Sequence, residues 1–320
     1  MRVKIAAIVE ETPLVKSFDL VSADPAVPLP AHTCGAHIAV PVVLPDGSRD
    51  TRSYSIVNPP AYRGFYRLAV HREREGKGGS AYMHEQLRVG DEFEIDAPKN
   101  HFELVSNAAE YILIAGGIGI TPILCMASQL VVEARPFTLH YAARQPELMA
   151  FRNDVLGRCG EHARLWFDGG DPAKGMDLNE ILREWRPGLH VYVCGPARLI
   201  DAVLAISGSC GWPETAVHFE LFSNPTATQE DDQPVEIVLQ HSGLVVKVPP
   251  GKSILDAVLD AGVDADFDCK VGECGSCLTT VLEGTPIHRD YYLNGRERAE
   301  NKSMCTCVSW AKTSRLVLDL

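Results

Sequence analysis

No run of about 18 apolar residues occurs in this 320-residue chain, so no segment is long enough to cross a bilayer as a helix. The opening stretch, MRVKIAAIVEETP, has an apolar run of only about six residues before charge resumes, too short for the core of a secretory signal. The expected compartment is therefore the cytoplasm. Positive charge is also scarce. Against 42 aspartates and glutamates stand 30 lysines and arginines, a formal charge of −12, and such a chain repels nucleic acid and anionic membranes at long range. A protein partner with a basic face suits it better. Hydrophobic residues make up 46% of the chain, enough at this length for two or three domains with cores of their own.

Ten cysteines stand out against these absences. Without a secretion signal they are poor candidates for a disulfide framework, because a reducing compartment keeps thiols free and makes metal binding the better account. Cys34, Cys125, Cys159 and Cys210 are scattered and read as small buried hydrophobes. Cys269, Cys274 and Cys277 in CKVGECGSCL are spaced C-x4-C-x2-C, and MCTCVSW lies further on. That is the plant-type [2Fe–2S] pattern with its distant fourth cysteine. Zinc would favour two paired knuckles, and the second pair would be Cys305 and Cys307, one residue apart. Iron–sulfur is the better match, and spacing alone tolerates either Cys305 or Cys307 as the fourth ligand.

The pattern of runs divides the chain. Short β-rich runs at 3–8, 15–21, 37–43, 51–57, 65–70 and 92–96, broken by Pro, Gly and Asp turns, predict a small antiparallel barrel over 1–103. Within it HREREGKGGSAYMHEQL leads from a glycine turn into a short helix capped by Gly79 or Ser80, a start that can hold a phosphate. YILIAGGIGITPILCMASQL reads as buried strand, glycine turn and helix, with Thr121 as N-cap and Pro122 at the first helical position. Strands recur at FTLHYAAR, ARLWFDGG and LHVYVCGP, predicting a doubly wound parallel α/β domain over 104–222 whose strand ends face a ligand. SNPTATQEDDQP, 223–234, reads as a linker. A hairpin, the helix SILDAVLDAG with Ser253 and Asp256 as a capping box, the cysteine loop and two last strands predict a small α+β domain over 235–320, which resembles the plant-type ferredoxins and so implies their β-grasp fold.

RSYS, GKGGS, GGIGITP, VCGP, HFELF and CKVGECGSC stand in one order along essentially the whole chain. In that order they resemble the phthalate dioxygenase reductase family, whose members, vanillate O-demethylase-like and carnitine monooxygenase-like reductases among them, join a flavin barrel, an NAD domain and a ferredoxin. The resemblance implies that Arg52 and Ser53 reach the flavin phosphate side and Tyr54 packs on the isoalloxazine. Ser55 would bond near flavin N5, Ala69 and Val70 would line the flavin site, and Gly78, Gly79 and Ser80 would hold its phosphate. FMN is favoured over FAD. For the nucleotide it implies Gly117, Gly119 and Thr121, with Arg144 on the adenosine side and Cys194, Gly195 and Pro196 at the nicotinamide. Asp168 would accept from a ribose diol and repel a 2′-phosphate, favouring NADH over NADPH. Phe222 resembles the aromatic closing the nucleotide domain on the flavin, Ser55 and Cys194 become the catalytic pair, and Cys307, which precedes VS, becomes the fourth ligand beside Cys269, Cys274 and Cys277.

The function implied is that of a flavin and iron–sulfur reductase taking hydride from NADH and passing single electrons to a Rieske-type oxygenase component that acts on an aromatic acid or ether. Two rivals share the residues. The acceptor could be a cytochrome P450 or a radical enzyme, or the chain could be a non-catalytic redox sensor, which rapid NADH-dependent reduction of ferricyanide or cytochrome c would exclude.

Overall fold

The structure, a computed structural model, describes residues 1–320 except Thr228 and Glu230. Its chain forms two compact units, Met1–Glu220 and Leu221–Leu320.

The first unit begins with β1 (Arg2–Thr12), β2 (Val15–Ser22), β3 (His37–Val43), β4 (Arg49–Ser55), β5 (Tyr66–His71), helix α1 (Gly79–Glu85) and β6 (Glu92–Glu94). All the pairings are antiparallel, in a sheet ordered β5-β2-β1-β6 and a β3–β4 hairpin. Alternation dictates this arrangement: Val3 and Ile5, Phe18 and Leu20, Ile38, Val40 and Val42 each fall on the inward side of a period-two strand and meet in one core with Leu68. Register shifts near Ile5/Ala7 and Glu10/Thr12 bend β1 around it. Helix α1 starts at Gly79 with Gly78 as its cap, one or two residues earlier than the sequence suggests. Gly78 has φ +97°, a conformation that costs glycine little and other residues much.

The same unit continues as β7 (Glu110–Gly116), α2 (Ile120–Val132), β8 (Phe137–Ala143), α3 (Arg152–Cys159), β9 (Ala163–Phe167), α4 (Leu178–Leu182), β10 (Leu189–Cys194), α5 (Ala197–Ser209) and β11 (Val217–Glu220). The five strands are parallel in the order β11-β10-β7-β8-β9. Continuous apolar runs such as YILIA suit strands covered on both faces, and Leu113, Ile114 and Ala115 are fully buried. From β7 the chain winds outward through β8 and β9, then returns to place β10 on the other side of β7. That reversal opens a crevice at the carboxyl ends of β7 and β10. Thr121 is not the cap of α2. A 3₁₀ turn over Gly117–Gly119 precedes the helix, and the Thr121 hydroxyl donates back to the Ile118 carbonyl (3.1 Å).

The second unit holds β12 (Val235–Leu239), β13 (Val245–Val248), α6 (Ile254–Asp260), β14 (Leu278–Glu283), β15 (Pro286–Ile287), α7 (Gly295–Glu300), β16 (Ser303–Cys305), β17 (Trp310–Ala311) and β18 (Arg315–Leu318). Its mixed sheet runs β13-β12-β18-β14-β16, with β12 and β18 parallel. Ile237, Leu316 and Leu318 face Ile254 and Val258 of α6 across the core. Ser253 caps α6, its hydroxyl accepting from the Asp256 N–H (3.0 Å). Helix α7, unread in the sequence, has a complete capping box between Asn294 and Glu297.

Part of the segment that reads as a linker, Thr228 and Glu230, lies outside the described residues. The rest is tied to the second unit. The Asn224 amide donates to the carbonyls of Val271 (3.1 Å) and Arg289 (2.8 Å), and the Trp310 indole donates to that of Gln233 (3.1 Å). Arg289 grips Asp232 through its two terminal guanidinium nitrogens, and both side chains are buried. Removing one partner of such a pair costs about 3–5 kcal/mol, because the other charge is left unpaired out of water.

Candidate active site and candidate metal centre

Strand β4 delivers alternate residues to two faces. Arg52 and Tyr54 lie on one. The Arg52 guanidinium donates to Asp50 (2.5 Å) and to the Thr51 carbonyl (2.7 Å). A Cβ on Gly79 would meet the Arg52 side chain at 2.9 Å, and one on Gly78 would meet Pro45 at 2.5 Å. The first turn of α1 can therefore press against Arg52 because these two positions have no side chains. His84, buried in the same helix, bonds the Val70 carbonyl (2.8 Å) and holds the turn in place. Ser80 accepts from the Glu73 N–H (3.0 Å). Burial pushes the Tyr54 phenol up to about 12, so it stays neutral and acts as a ring with a hydroxyl. Ser53 is exposed, and Ala69 is part of the packed core.

Ser55, on the opposite face at the end of β4, is buried, and its hydroxyl donates to the Glu220 carboxylate (3.2 Å). The Cys194 thiol approaches the same oxygen (3.9 Å). Cys194 ends β10 and Glu220 ends β11, and the two are partners in the parallel register. Burial raises the Glu220 carboxyl to about 8, against the lowering effect of Ser55 and Cys194. It is thus mostly protonated at neutral pH. The sequence reading assigns Glu220 no role, although HFELF contains it. Its signal is an acid closing a strand of otherwise partly buried residues.

The glycine turn after β7 backs directly onto this triad. A Cβ at Gly119 would lie 2.3 Å from the Cys194 carbonyl oxygen, and one at Gly116 would lie 2.8 Å from Pro196. These glycines let two loops cross at the sheet's switch point, whereas Gly117, at φ +55°, has open space around it. Arg144 and Asp168 are also brought together, as the residues following β8 and β9: the Gly169 N–H donates to the Arg144 carbonyl (2.9 Å) and the Gly170 N–H to the Asp168 carboxylate (2.7 Å). Arg144 is exposed and Asp168 half-buried. Phe222 is exposed and falls in the second unit.

In the second unit Lys270, Gly272 and Gly275 all have positive φ, which curls the cysteine loop. A Cβ at Gly272 would strike Val308 (2.6 Å) and one at Gly275 the Tyr292 ring (2.4 Å). The sulfurs gather as a pair, Cys269 with Cys274, and a group of three, Cys277 with Cys305 and Cys307. Cys269 accepts from the Cys274 N–H (3.5 Å), and its thiol holds the Cys274 thiol well below the usual range. Cys277 is lowered likewise by Cys305 first and Cys307 second. Cys305 ends β16, paired with Leu278, whereas Cys307 follows in a turn whose Val308 and Ser309 N–H groups donate to the Cys305 carbonyl (3.3 and 3.0 Å). The two are thus not neighbours on one extended strand. Among the described residues no three His, Cys, Asp or Glu side chains are placed to grip a single ion. Cys269 with Cys274, and Cys277 with Cys305 and Cys307, supply the four thiolates that a cluster of two irons requires.

Residues 4–104 match the oxidoreductase FAD-binding domain and residues 237–312 the 2Fe-2S iron-sulfur cluster binding domain. The phthalate 4,5-dioxygenase oxygenase reductase subunit of Pseudomonas putida is 41% identical over 91% of this chain and 88% of its own length. The solved structure of a phthalate dioxygenase reductase, described as a modular structure for electron transfer from pyridine nucleotides to [2Fe–2S], superposes with a TM-score of 0.79 at 38% identity, covering 100% of this chain and 98% of that one. An intact type IV self-sufficient cytochrome P450 monooxygenase matches all of this chain with 41% of its own, at 33% identity and a TM-score of 0.75. A flavin-binding barrel, a parallel sheet and a cluster-binding ferredoxin in this order, shared over nearly the full length of such relatives, make this oxidoreductase a member of the phthalate dioxygenase reductase family.

Proposed function

We propose that the chain takes hydride from NADH onto FMN in the crevice at Ser55, Cys194 and Glu220, and hands electrons singly through the cluster of Cys269, Cys274, Cys277 and Cys307 to a Rieske-type oxygenase component. The observation that carries this reading is the meeting of a barrel hydroxyl, a thiol and a protonated carboxyl at the switch point of a parallel sheet. When bound, the flavin supplies the two-electron to one-electron conversion and the cluster a one-electron relay. The chain's own residues orient and hold. Arg52 and the Gly78–Gly79–Ser80 turn would hold the flavin phosphate, Tyr54 would cover the ring, and Ser55 would bond near N5. Gly117, Gly119, Thr121, Gly195 and Pro196 would seat the nicotinamide half against Cys194, while Arg144 and Asp168 would take the adenosine ribose.

The domain reading that goes with this is 1–103 for flavin, 104–222 for nucleotide and 235–320 for the cluster, with 223–234 between. The names of the similar proteins support an oxygenase as partner. A cytochrome P450 is the second reading for the acceptor, favoured by the likeness to the self-sufficient monooxygenase.

A fragment ending at Glu220, where the first compact unit ends, tests the division of labour. It is expected to retain FMN, identified by extraction, and to reduce ferricyanide with NADH at the rate of the full chain. It should fail to reduce cytochrome c or the oxygenase. Full-rate delivery to the oxygenase by the fragment would remove the cluster from the route. For the nucleotide, Asp168→Ala should narrow the ratio of kcat/KM for NADH over NADPH by about tenfold, the worth of one lost hydrogen bond to a charged group. An unchanged ratio takes Asp168 out of the site.

A further inference from the structure

Behind the cysteine loop lies a buried polar pair that the proposed function does not use. Asp290 has a fully buried side chain. Its carboxylate accepts from the Leu293 N–H (2.8 Å) and the Ser309 hydroxyl (3.2 Å) and lies 3.8 Å from the Arg298 guanidinium. The residue also presses on the loop itself: a Cβ on Gly272 would come within 3.0 Å of the Asp290 Cα, and the Tyr291 N–H donates to the Gly272 carbonyl (2.8 Å). Beside it, His288 is 9% exposed, with Nδ1 3.7 Å from the carboxylate. Among the described residues, neither of its buried ring nitrogens has a hydrogen-bond partner.

A neutral imidazole in that setting forgoes hydrogen bonds on two nitrogens, which is costly in a buried site. A protonated one gains an ion pair with Asp290 after a small approach. The other charged groups around His288, among the described residues, leave that option open. Arg289 is committed to Asp232 and Arg298 lies against Asp290, while Asp231 and Lys312 line the cavity that His288 shares with them. Asp290 therefore has two basic neighbours within 4 Å, Arg298 at 3.8 Å and the His288 ring at 3.7 Å.

We infer that His288, paired with Asp290, is a proton-binding site linked to the charge held by the cysteine loop, so that one electron arriving at the cluster draws one proton from solvent onto the imidazole. The balance is one electron from the reduced flavin and one proton from water, with no bond to the cluster made or broken. The inference rests on the cluster reading above. Reduction adds a negative charge behind Gly272, and a negative charge favours imidazolium. The midpoint potential should then fall as pH rises across the ordinary histidine range.

The test is a potentiometric titration of the full, cluster-loaded protein, followed by low-temperature EPR at a series of values between about pH 5 and 8, where histidines ordinarily titrate. Wild type should show a midpoint that shifts with pH, tending toward tenfold in the redox equilibrium per pH unit, or about 59 mV for one electron. His288→Gln should flatten the line with the signal shape kept. His241→Gln, at an exposed histidine of the same unit, should keep the wild-type slope. A wild-type midpoint independent of pH, or a slope that survives His288→Gln, overturns the inference. A protein without any cluster signal would overturn the cluster reading along with it.

Discussion

Cys307→Ser is expected to strip the cluster, taking iron from about two per chain to near zero, while ferricyanide reduction by NADH continues at the wild-type rate. Thiolate is the ligand that such a cluster selects, and a serine hydroxyl at a site 5% exposed has neither the softness nor the acidity to replace it. Electron delivery to cytochrome c or the oxygenase should stop. Cys305→Ser is the informative companion, because the Cys277 sulfur is close to both Cys305 and Cys307. Cys305 is fully buried at the end of β16, and its serine variant should keep the cluster and its EPR signal with some loss of thermal stability. If iron survives in Cys307→Ser and is lost in Cys305→Ser, the ligand role passes to Cys305.

Glu220→Gln should slow flavin reduction by NADH about 100-fold, the lower end of what a positioned acid or base contributes. The amide preserves the acceptor for Ser55 but cannot exchange a proton. Wild-type flavin reduction in stopped-flow should fall as pH rises through about 8, where the carboxyl ionises, and the variant should be flat there. Stability has its own sign. The folded carboxyl titrates near 8 and the unfolded one near the ordinary 4.5, so between these values the folded chain holds a proton that the unfolded chain has lost. Wild-type stability should therefore decline as pH rises across that window. By thermal melting, Glu220→Gln should match wild type below about pH 4.5 and exceed it by a margin that grows up to about pH 8. If the rate profile keeps its descending limb near pH 8 in the variant, Glu220 only packs.

Local pattern carried a large part of this architecture. Period-two alternation in the first hundred residues, unbroken apolar runs in the parallel strands and helical spacing in SILDAVLDAG each record which faces must leave water, and that information is present residue by residue. The cysteine spacing is equally local, since a short loop must wrap one cluster. What required the folded chain is whatever depends on two distant segments meeting. Glu220 is one acid among many until β11 pairs with β10 and β4 brings Ser55 to its carboxyl, and its raised pKa comes from that burial. The reason Gly116 and Gly119 lack side chains is visible only where the Cys194–Gly195 backbone crosses them. The cap of α2 moved from Thr121 because a 3₁₀ turn, set by that crossing, precedes it. Polar composition made 223–234 read as free chain, yet Asn224 and Asp232 are held by Val271 and Arg289. Finding His288 against Asp290 likewise needed tertiary structure, because burial and proximity are properties of the packed chain and leave no periodic trace in its order.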